Sequence, residues 1–274
     1  MTRRIATKAV AALLALAGTA LAARAAEPAK PAKPAKPATT AVGAAERRIL
    51  QDLEAAGEKH KTIRADIDYH WVSRELGDTE TRTGWVAYSK GGDKTPTRFR
   101  IAFKTLRLGK GKTRKELVDY AFDGQWLTVA KHKIKNMTLY QVAAAGEKIE
   151  PLRIGKGPFP LPFGQKADDV IEHFQARTRS PRPNDPKNTT YLRLTARPKY
   201  APKMSTQRLE LWIDSTTHLP VKIRSRDKNK NDTTVTFEKI RTNQDVPANV
   251  FRIPRKLGWQ VVRRPLKGAK GIGP

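Results

Sequence analysis

Residues 207–251 read as three consecutive antiparallel strands joined by short polar turns, and that pattern restricts the fold more than any other feature of the chain. Leu209, Leu211 and Ile213 alternate with Arg208, Glu210, Trp212 and Asp214, the period of two that a strand needs to bury one face. Residues 214–218 form a turn. Pro220 opens the next strand, where a missing backbone donor costs least. Val221 and Ile223 face one way, and Lys222, Arg224 and Arg226 the other. A second polar turn, 227–232, leads into a strand with Val235 and Phe237 on one side and Thr234, Thr236 and Glu238 on the other.

The same grammar runs through the earlier chain. Ile67, Tyr69 and Trp71 alternate with Asp66, Asp68 and His70; a return strand over 81–90 carries Trp85 and Tyr88; Phe99, Ile101 and Phe103 alternate with Arg98, Arg100 and Lys104. Strands are expected over 116–122, 125–132, 137–142 and 191–197, the first two joined by the hairpin pair Asp123-Gly124. Residues 258–262 add a last edge. That makes about eleven strands with short connections. Two helices interrupt them. Residues 44–59 place Ala45, Ile49, Leu50, Leu53 and Ala56 on one face. Asp168-Asp169 is expected to cap a short helix carrying Val170, Ile171 and Phe174. The expected fold is mainly β: one strongly curved antiparallel sheet, an unclosed β-barrel, with the helices over its concave face. Residues 154–164 form a Pro/Gly loop with apolar teeth, Phe159, Leu161 and Phe163, read as core anchors or as part of a lid.

Compartment is read from the N-terminus. Arg3, Arg4 and Lys8 precede an Ala/Leu-rich run with small-x-small sites at 20–22 and 23–25. Residues 1–25 are therefore expected to be a cleaved secretory signal, delivering the protein to the periplasm. Residues 26–43, built on Pro-Ala-Lys repeats, read as an extended spacer. The folded domain is placed at 44–263 and a basic tail at 264–274. The formal net charge of the 274 residues is +28. Arg3, Arg4, Lys8 and Arg24 account for 4 of it and residues 1–25 hold no acid, so 28 less 4 leaves +24 on the mature chain. Such a surface favours anionic partners, an anionic envelope surface among them; no nucleic-acid module accompanies it.

Enzyme motifs fail on inspection. The chain has no cysteine, which excludes thiol catalysis, disulfides, Cys-ligated zinc and a lipid-modified N-terminal Cys. Gly109-Lys110-Gly111-Lys112-Thr113 has Leu106 where a phosphate loop needs its first glycine. His60, His70, His132, His173 and His218 lack zinc spacing. Asp168, Asp169, Glu172 and His173 read as a helix start before they read as a metal site. The paired carboxylates Asp66 and Asp68 more simply solvate one strand face. No Gly-x-Ser-x-Gly elbow is present. The expectation is a non-catalytic, cofactor-free, metal-free monomer.

Ile213-Asp214, Thr217, Leu219-Pro220, Asp227, Thr234, Phe237, Ile240, Asn243, Pro247 and Phe251 occur in register, and this series resembles the C-terminal half of the LolA-like periplasmic lipoprotein carriers and lipoprotein-sorting proteins. Asp123-Gly124-Gln125-Trp126 is similar to the same family's Asp-Gly turn before an aromatic strand. The resemblance implies an unclosed barrel with a helical lid, a partner that is a lipoprotein or acyl lipid, and a basic residue at the cavity mouth, for which Arg64 and Arg74 are both candidates. Candidate lipid-binding residues are Ile67, Tyr69, Trp71, Trp85, Phe99, Ile101, Phe103, Leu209, Leu211 and Ile213; candidate lid residues are Ile49, Leu50, Leu53, Phe159, Leu161 and Phe163. Two functions fit: an exported carrier of acyl chains, or an envelope stress sensor of the same fold that binds mislocalised lipoproteins and regulates a partner protein.

Overall fold

The computed structural model describes residues 42–92, 95–144, 147 and 165–266. The expected signal peptide, nearly all of the spacer, the loop bearing Phe159, Leu161 and Phe163, and the end of the tail lie outside the described residues. Twelve strands form a single sheet: β1 (Thr62–Val72), β2 (Thr79–Ser89), β3 (Arg98–Leu108), β4 (Arg114–Phe122), β5 (Trp126–Lys131), β6 (Asn136–Gln141), β7 (Phe174–Arg179), β8 (Thr189–Ala196), β9 (Thr206–Asp214), β10 (Pro220–Asp227), β11 (Asp232–Thr242) and β12 (Gln260–Arg264). The order across the sheet is β12-β6-β5-β4-β3-β2-β1-β11-β10-β9-β8-β7, so β12 and β7 are edges and the barrel is unclosed. All neighbours are antiparallel except β12, which runs parallel to β6. Irregular registers between Arg64 and Asp66, Thr81 and Gly84, and Phe103 and Thr105 interrupt the β1–β11, β2–β3 and β3–β4 ladders. Such interruptions bend strands and raise their twist, which accounts for curvature in the β1–β4 region.

Two helices, α1 (Ala44–Lys59) and α2 (Ala167–His173), cover the inner face. Leu50, Leu53 and Ala56 of α1 and Ala167 and Val170 of α2 join one core cluster with side chains from β1–β5 and β7–β11. The α1 stripe follows the helical spacing of its apolar residues, with Glu46 in its first turn and Lys59 in its last, each on the side the helix dipole favours.

Two expectations need correction. Asp168 and Asp169 stand in the first turn of α2, but the N-cap is Lys166 and no side chain of α2 caps it. The cap comes from the neighbouring helix, where Glu54 accepts the Ala167 N–H at 2.9 Å. Phe174 does not belong to that helix: it opens β7, paired with Ala196. A seven-residue helix carries too few apolar positions to signal where it stops, and the six-residue edge strand behind it has too little alternation to stand out from a helix end and turn.

The residues behind the family resemblance hold turns and strand junctions. Asp214 accepts the N–H groups of Thr216 and Thr217 and the Thr217 hydroxyl, at 3.0, 2.7 and 2.9 Å, an arrangement that mimics a backbone turn. Asp227 does the same for Asn231. Asn243, at φ 56°, accepts the Lys61 N–H at 2.8 Å and donates its own N–H to Thr62 at 2.9 Å. It thereby fastens the end of β11 to the start of β1.

Candidate functional site: the inner face of the sheet

Register decides which side chains share the inner face. Ile67 lies opposite Gly84, which lies opposite Phe103, which lies opposite Val118. On the other side, Ile67 pairs with Phe237, and in the next inward row Tyr69 pairs with Val235, followed by Ile223, Leu211 and Leu192. The structure thus brings together Ile67, Tyr69, Trp71, Phe99, Ile101, Phe103, Leu209, Leu211 and Ile213 on one face, where Tyr69 and Trp71 are half-buried and the others are buried. Leu50 and Leu53 of α1 pack on that face and Ile49 flanks them. Aromatic side chains line one stretch: Tyr69 meets Phe103 edge-on at 5.5 Å, Phe103 meets Tyr120 at 6.2 Å, and Phe99 stacks on Phe122 at 5.7 Å.

Trp85 is not among them. It pairs with Asp66 and Ala102, whose side chains point to the outer face, and its ring lies 5.3 Å from the Arg100 guanidinium. Trp85 and Tyr88 have opposite parity, so one straight strand cannot turn both inward. The face that holds Tyr88 and Val86 also holds Arg82 and Glu80.

Those two residues put charge inside an apolar surface. Arg82 and Glu80 are both buried, at 6% and 7% exposure. The Arg82 Nε–H donates to Glu80 Oε1, and Nη2 lies 3.6 Å from Glu116 Oε1. Nη1 has no hydrogen-bond partner among the described residues. The guanidinium sits 5.7 Å from the centre of the Phe103 ring. Burial, reinforced by the charge of Glu80, pushes the Tyr69 hydroxyl far above its ordinary value. Burial likewise pushes Tyr120 up to about 12, against the opposing pull of Arg82. Both phenols stay protonated donors. The two basic residues favoured from the sequence lie elsewhere: Arg64 is on the outer face opposite Ala87, and Arg74 is bound to Asp232 at 2.7 Å. The period-two pattern of 80–88 already carries Arg82's position; reading Trp85 as inward hides it.

Polar contacts fasten the covering helices. Arg47 of α1 reaches Asp168 of α2 at 2.9 Å, Glu54 caps α2, and Glu46 accepts the Thr178 N–H of β7 at 3.1 Å. Asp168 is thereby engaged by an arginine. Among the described residues no group of three or more His, Asp or Glu side chains is placed to hold a metal ion, and no helix is long and apolar enough to cross a membrane.

Comparison with known proteins bears on the C-terminal part of this architecture. Residues 171–254, from the end of α2 through β7–β11 to the 3-10 turn at Ala248–Phe251, match the sequence model of the family described as outer membrane lipoprotein carrier protein LolA. Among curated proteins none matches. Similar solved structures include an uncharacterized conserved protein from Thermus thermophilus, 11% identical, over 80% of this chain and 99% of that one, with a TM-score of 0.47. The Pseudomonas aeruginosa MucA/MucB complex matches at 16% identity over 77% of this chain and 62% of the matched chain, with a TM-score of 0.42. LprF from Mycobacterium bovis matches at 12% identity over 76% and 98%, also at 0.42. Residues 171–254 resemble the LolA family, and the chain's likeness to that family rests on them.

Proposed function

We propose that the protein is an exported, non-catalytic carrier that holds the acyl chains of lipoproteins or lipids against the inner face of its sheet. The observation that supports this most is the pairing of a long apolar face with a single buried guanidinium whose Nη1 lacks a partner among the described residues. Hydrocarbon needs only the first: burying an acyl chain gains about 0.8 kcal/mol per CH₂. The ester or amide carbonyl at the head of that chain needs a donor in a place without water, and Arg82 supplies it, with Tyr69 and Tyr120 as neutral donors nearby. Unsatisfied buried donors are rare because each costs about 1–3 kcal/mol, so a partner that completes Arg82 recovers that cost.

Loading requires α1 and α2 to move, since Leu50, Leu53 and Val170 occupy the face that the chain would cover. The contacts of Arg47, Glu46 and Glu54 are the catch. Residues 1–25 would direct export to the periplasm. Binding and release require neither cofactor nor metal.

Native mass spectrometry of the exported protein is the test. Copurified acyl lipid or lipoprotein, displaced by added fatty acid, is the expected result. Bare protein that also fails to enhance the fluorescence of an apolar probe would remove the carrier reading.

A further inference from the structure

We infer that the outer face of the sheet carries a second ligand site, a basic groove that takes a phosphate group borne on a small organic body. It does not rest on the carrier reading, because its residues point away from the inner face. The groove encloses about 1060 Å³ over β7–β11, between the 73–77 and 182–185 segments. Its size is that of a small-molecule site, which runs to roughly 1,000 Å³.

The floor is rigid. Asp185 accepts from Nη1 and Nη2 of Arg179, at 2.6 and 3.0 Å, together with the Trp212 indole N–H at 2.7 Å and the Arg182 backbone N–H at 2.8 Å. Arg179 stacks on Tyr191 at 3.7 Å, and the Tyr191 hydroxyl donates to Glu210 at 2.7 Å. The loop over 180–188 is thus tied down before any ligand arrives.

The walls are positive beyond what their acids balance. Asp232 already serves Arg74, Arg224 and Arg226. Arg177, Arg182, Arg193 and Lys222 line the groove with no carboxylate in ion-pair reach among the described residues. Arg177 and Arg193 are direct cross-strand partners. Like charges placed opposite each other on neighbouring strands repel; Arg193 also faces Glu210 on β9, but that carboxylate already accepts the Tyr191 hydroxyl at 2.7 Å and lies 3.8 Å from Arg224. An anion between them turns that repulsion into two charge-assisted contacts. Arginine forks match phosphate oxygens, and a phosphate monoester brings about two negative charges and three acceptor oxygens. A lone carboxylate would satisfy one fork and leave the rest.

The test compares wild type with Arg177→Ala/Arg193→Ala, and with Lys110→Ala/Lys112→Ala as a control of equal charge change at the exposed β3–β4 hairpin. Two probes separate the sources of phosphate: glycerol 3-phosphate, read by calorimetry, and vesicles of phosphatidic acid in phosphatidylcholine, read by co-sedimentation. Binding of either probe that falls at least about tenfold in the arginine variant and less than about twofold in the control supports the site. Glycerol 3-phosphate binding assigns a soluble ester; vesicle binding without it assigns a lipid headgroup. Equal losses in both variants would mean that net charge alone acts, and would overturn the inference. Failure of wild type to bind either probe would overturn it too. Folding is checked on the same samples, since removing two opposed arginines from exposed positions should leave the melting temperature level or higher.

Discussion

Gly84 and Phe103 face each other across β2 and β3, and the missing side chain of the first makes room for the second strand. A Cβ on Gly84 would collide with the carbonyl oxygen of Ala102 and come within 2.9 Å of the Phe103 Cα. The obstacle is backbone, which cannot swing aside. Gly84→Ala is expected to destabilise the fold by about 1–3 kcal/mol, the usual cost of overpacking, measured by denaturant unfolding. A variant as stable as wild type would show that β2 and β3 do not approach so closely.

The buried pair of Arg82 and Glu80 allows stability and binding to be separated. Arg82→Met alone leaves Glu80 buried without its partner and should cost about 3–5 kcal/mol. Arg82→Met combined with Glu80→Leu removes both charges, and Glu116 keeps Arg114 at 3.1 Å. The double variant should recover most of the lost stability. If the guanidinium holds the head of an acyl chain, the recovered protein still binds fatty acid methyl ester at least about tenfold more weakly than wild type. Undiminished binding would show that Arg82 only fills space.

Because the chain has no cysteine, a single introduced thiol reports on α1 alone. Ile49→Cys, labelled with an environment-sensitive dye, sits at the edge of the helix stripe. Its emission should shift on adding fatty acid, and Glu54→Ala, which removes the cap on α2, should lower the concentration at which it shifts. No response to fatty acid at any concentration would mean that α1 stays in place.

His60 gives a signed pH dependence. Burial holds its imidazole below its ordinary 6.5, a hydrogen bond with the Thr217 backbone acts the other way, and Lys59 lowers it further. Its Nδ1 has no partner among the described residues. The folded state therefore keeps His60 neutral, whereas the unfolded chain takes up a proton below pH 6.5. Stability contributed by this residue is complete above that pH and declines as the pH falls through it. Melting temperatures of wild type and His60→Gln should draw together, or cross, between about pH 7 and about pH 5. Parallel curves would count against it.

Asp232 titrates in a lower window. Burial would raise its carboxyl, but hydrogen bonds from Arg226, Arg74 and Arg224 outweigh that and hold it well below the usual carboxylate range. Its contribution is present above pH 3.8, its unfolded value, and is lost only in stronger acid. Asp232→Asn should reduce stability by about 1–3 kcal/mol at neutral pH, with a smaller difference from wild type in strong acid. A difference that stays constant down to the acid limit would refute the assignment.

Much of this architecture is legible from alternation. Strands such as β3 and β9 alternate apolar residues on the inner face with mainly polar ones on the outer, so residues 99–103 and 209–213 reveal both position and orientation. The turns are legible because Asp214, Asp227 and Asn243 act within a few residues of themselves or at a strand end. What escapes is non-local. The cap on α2 comes from Glu54 on another helix, and β7 is six residues at an edge with only Phe174 and Ala176 buried. The parallel course of β12 depends on where the chain returns after Phe251. Arg82 escapes for a different reason: an arginine is expected outside, and a nearby tryptophan draws the eye to the opposite parity.

The tie between β1 and β11 has a consequence for how the polypeptide matures. The Lys61–Asn243 hydrogen bond spans 182 positions, so the first strand to be made waits for nearly the last before both of its flanks are paired. As the chain emerges, the β1–β6 meander can assemble while Ile63, Ile67 and Tyr69 still show an open rim. Contacts that close so late slow folding and leave a sticky border exposed, so a helper that shields emerging chains should matter more for this protein than for one whose neighbours in space are neighbours in sequence.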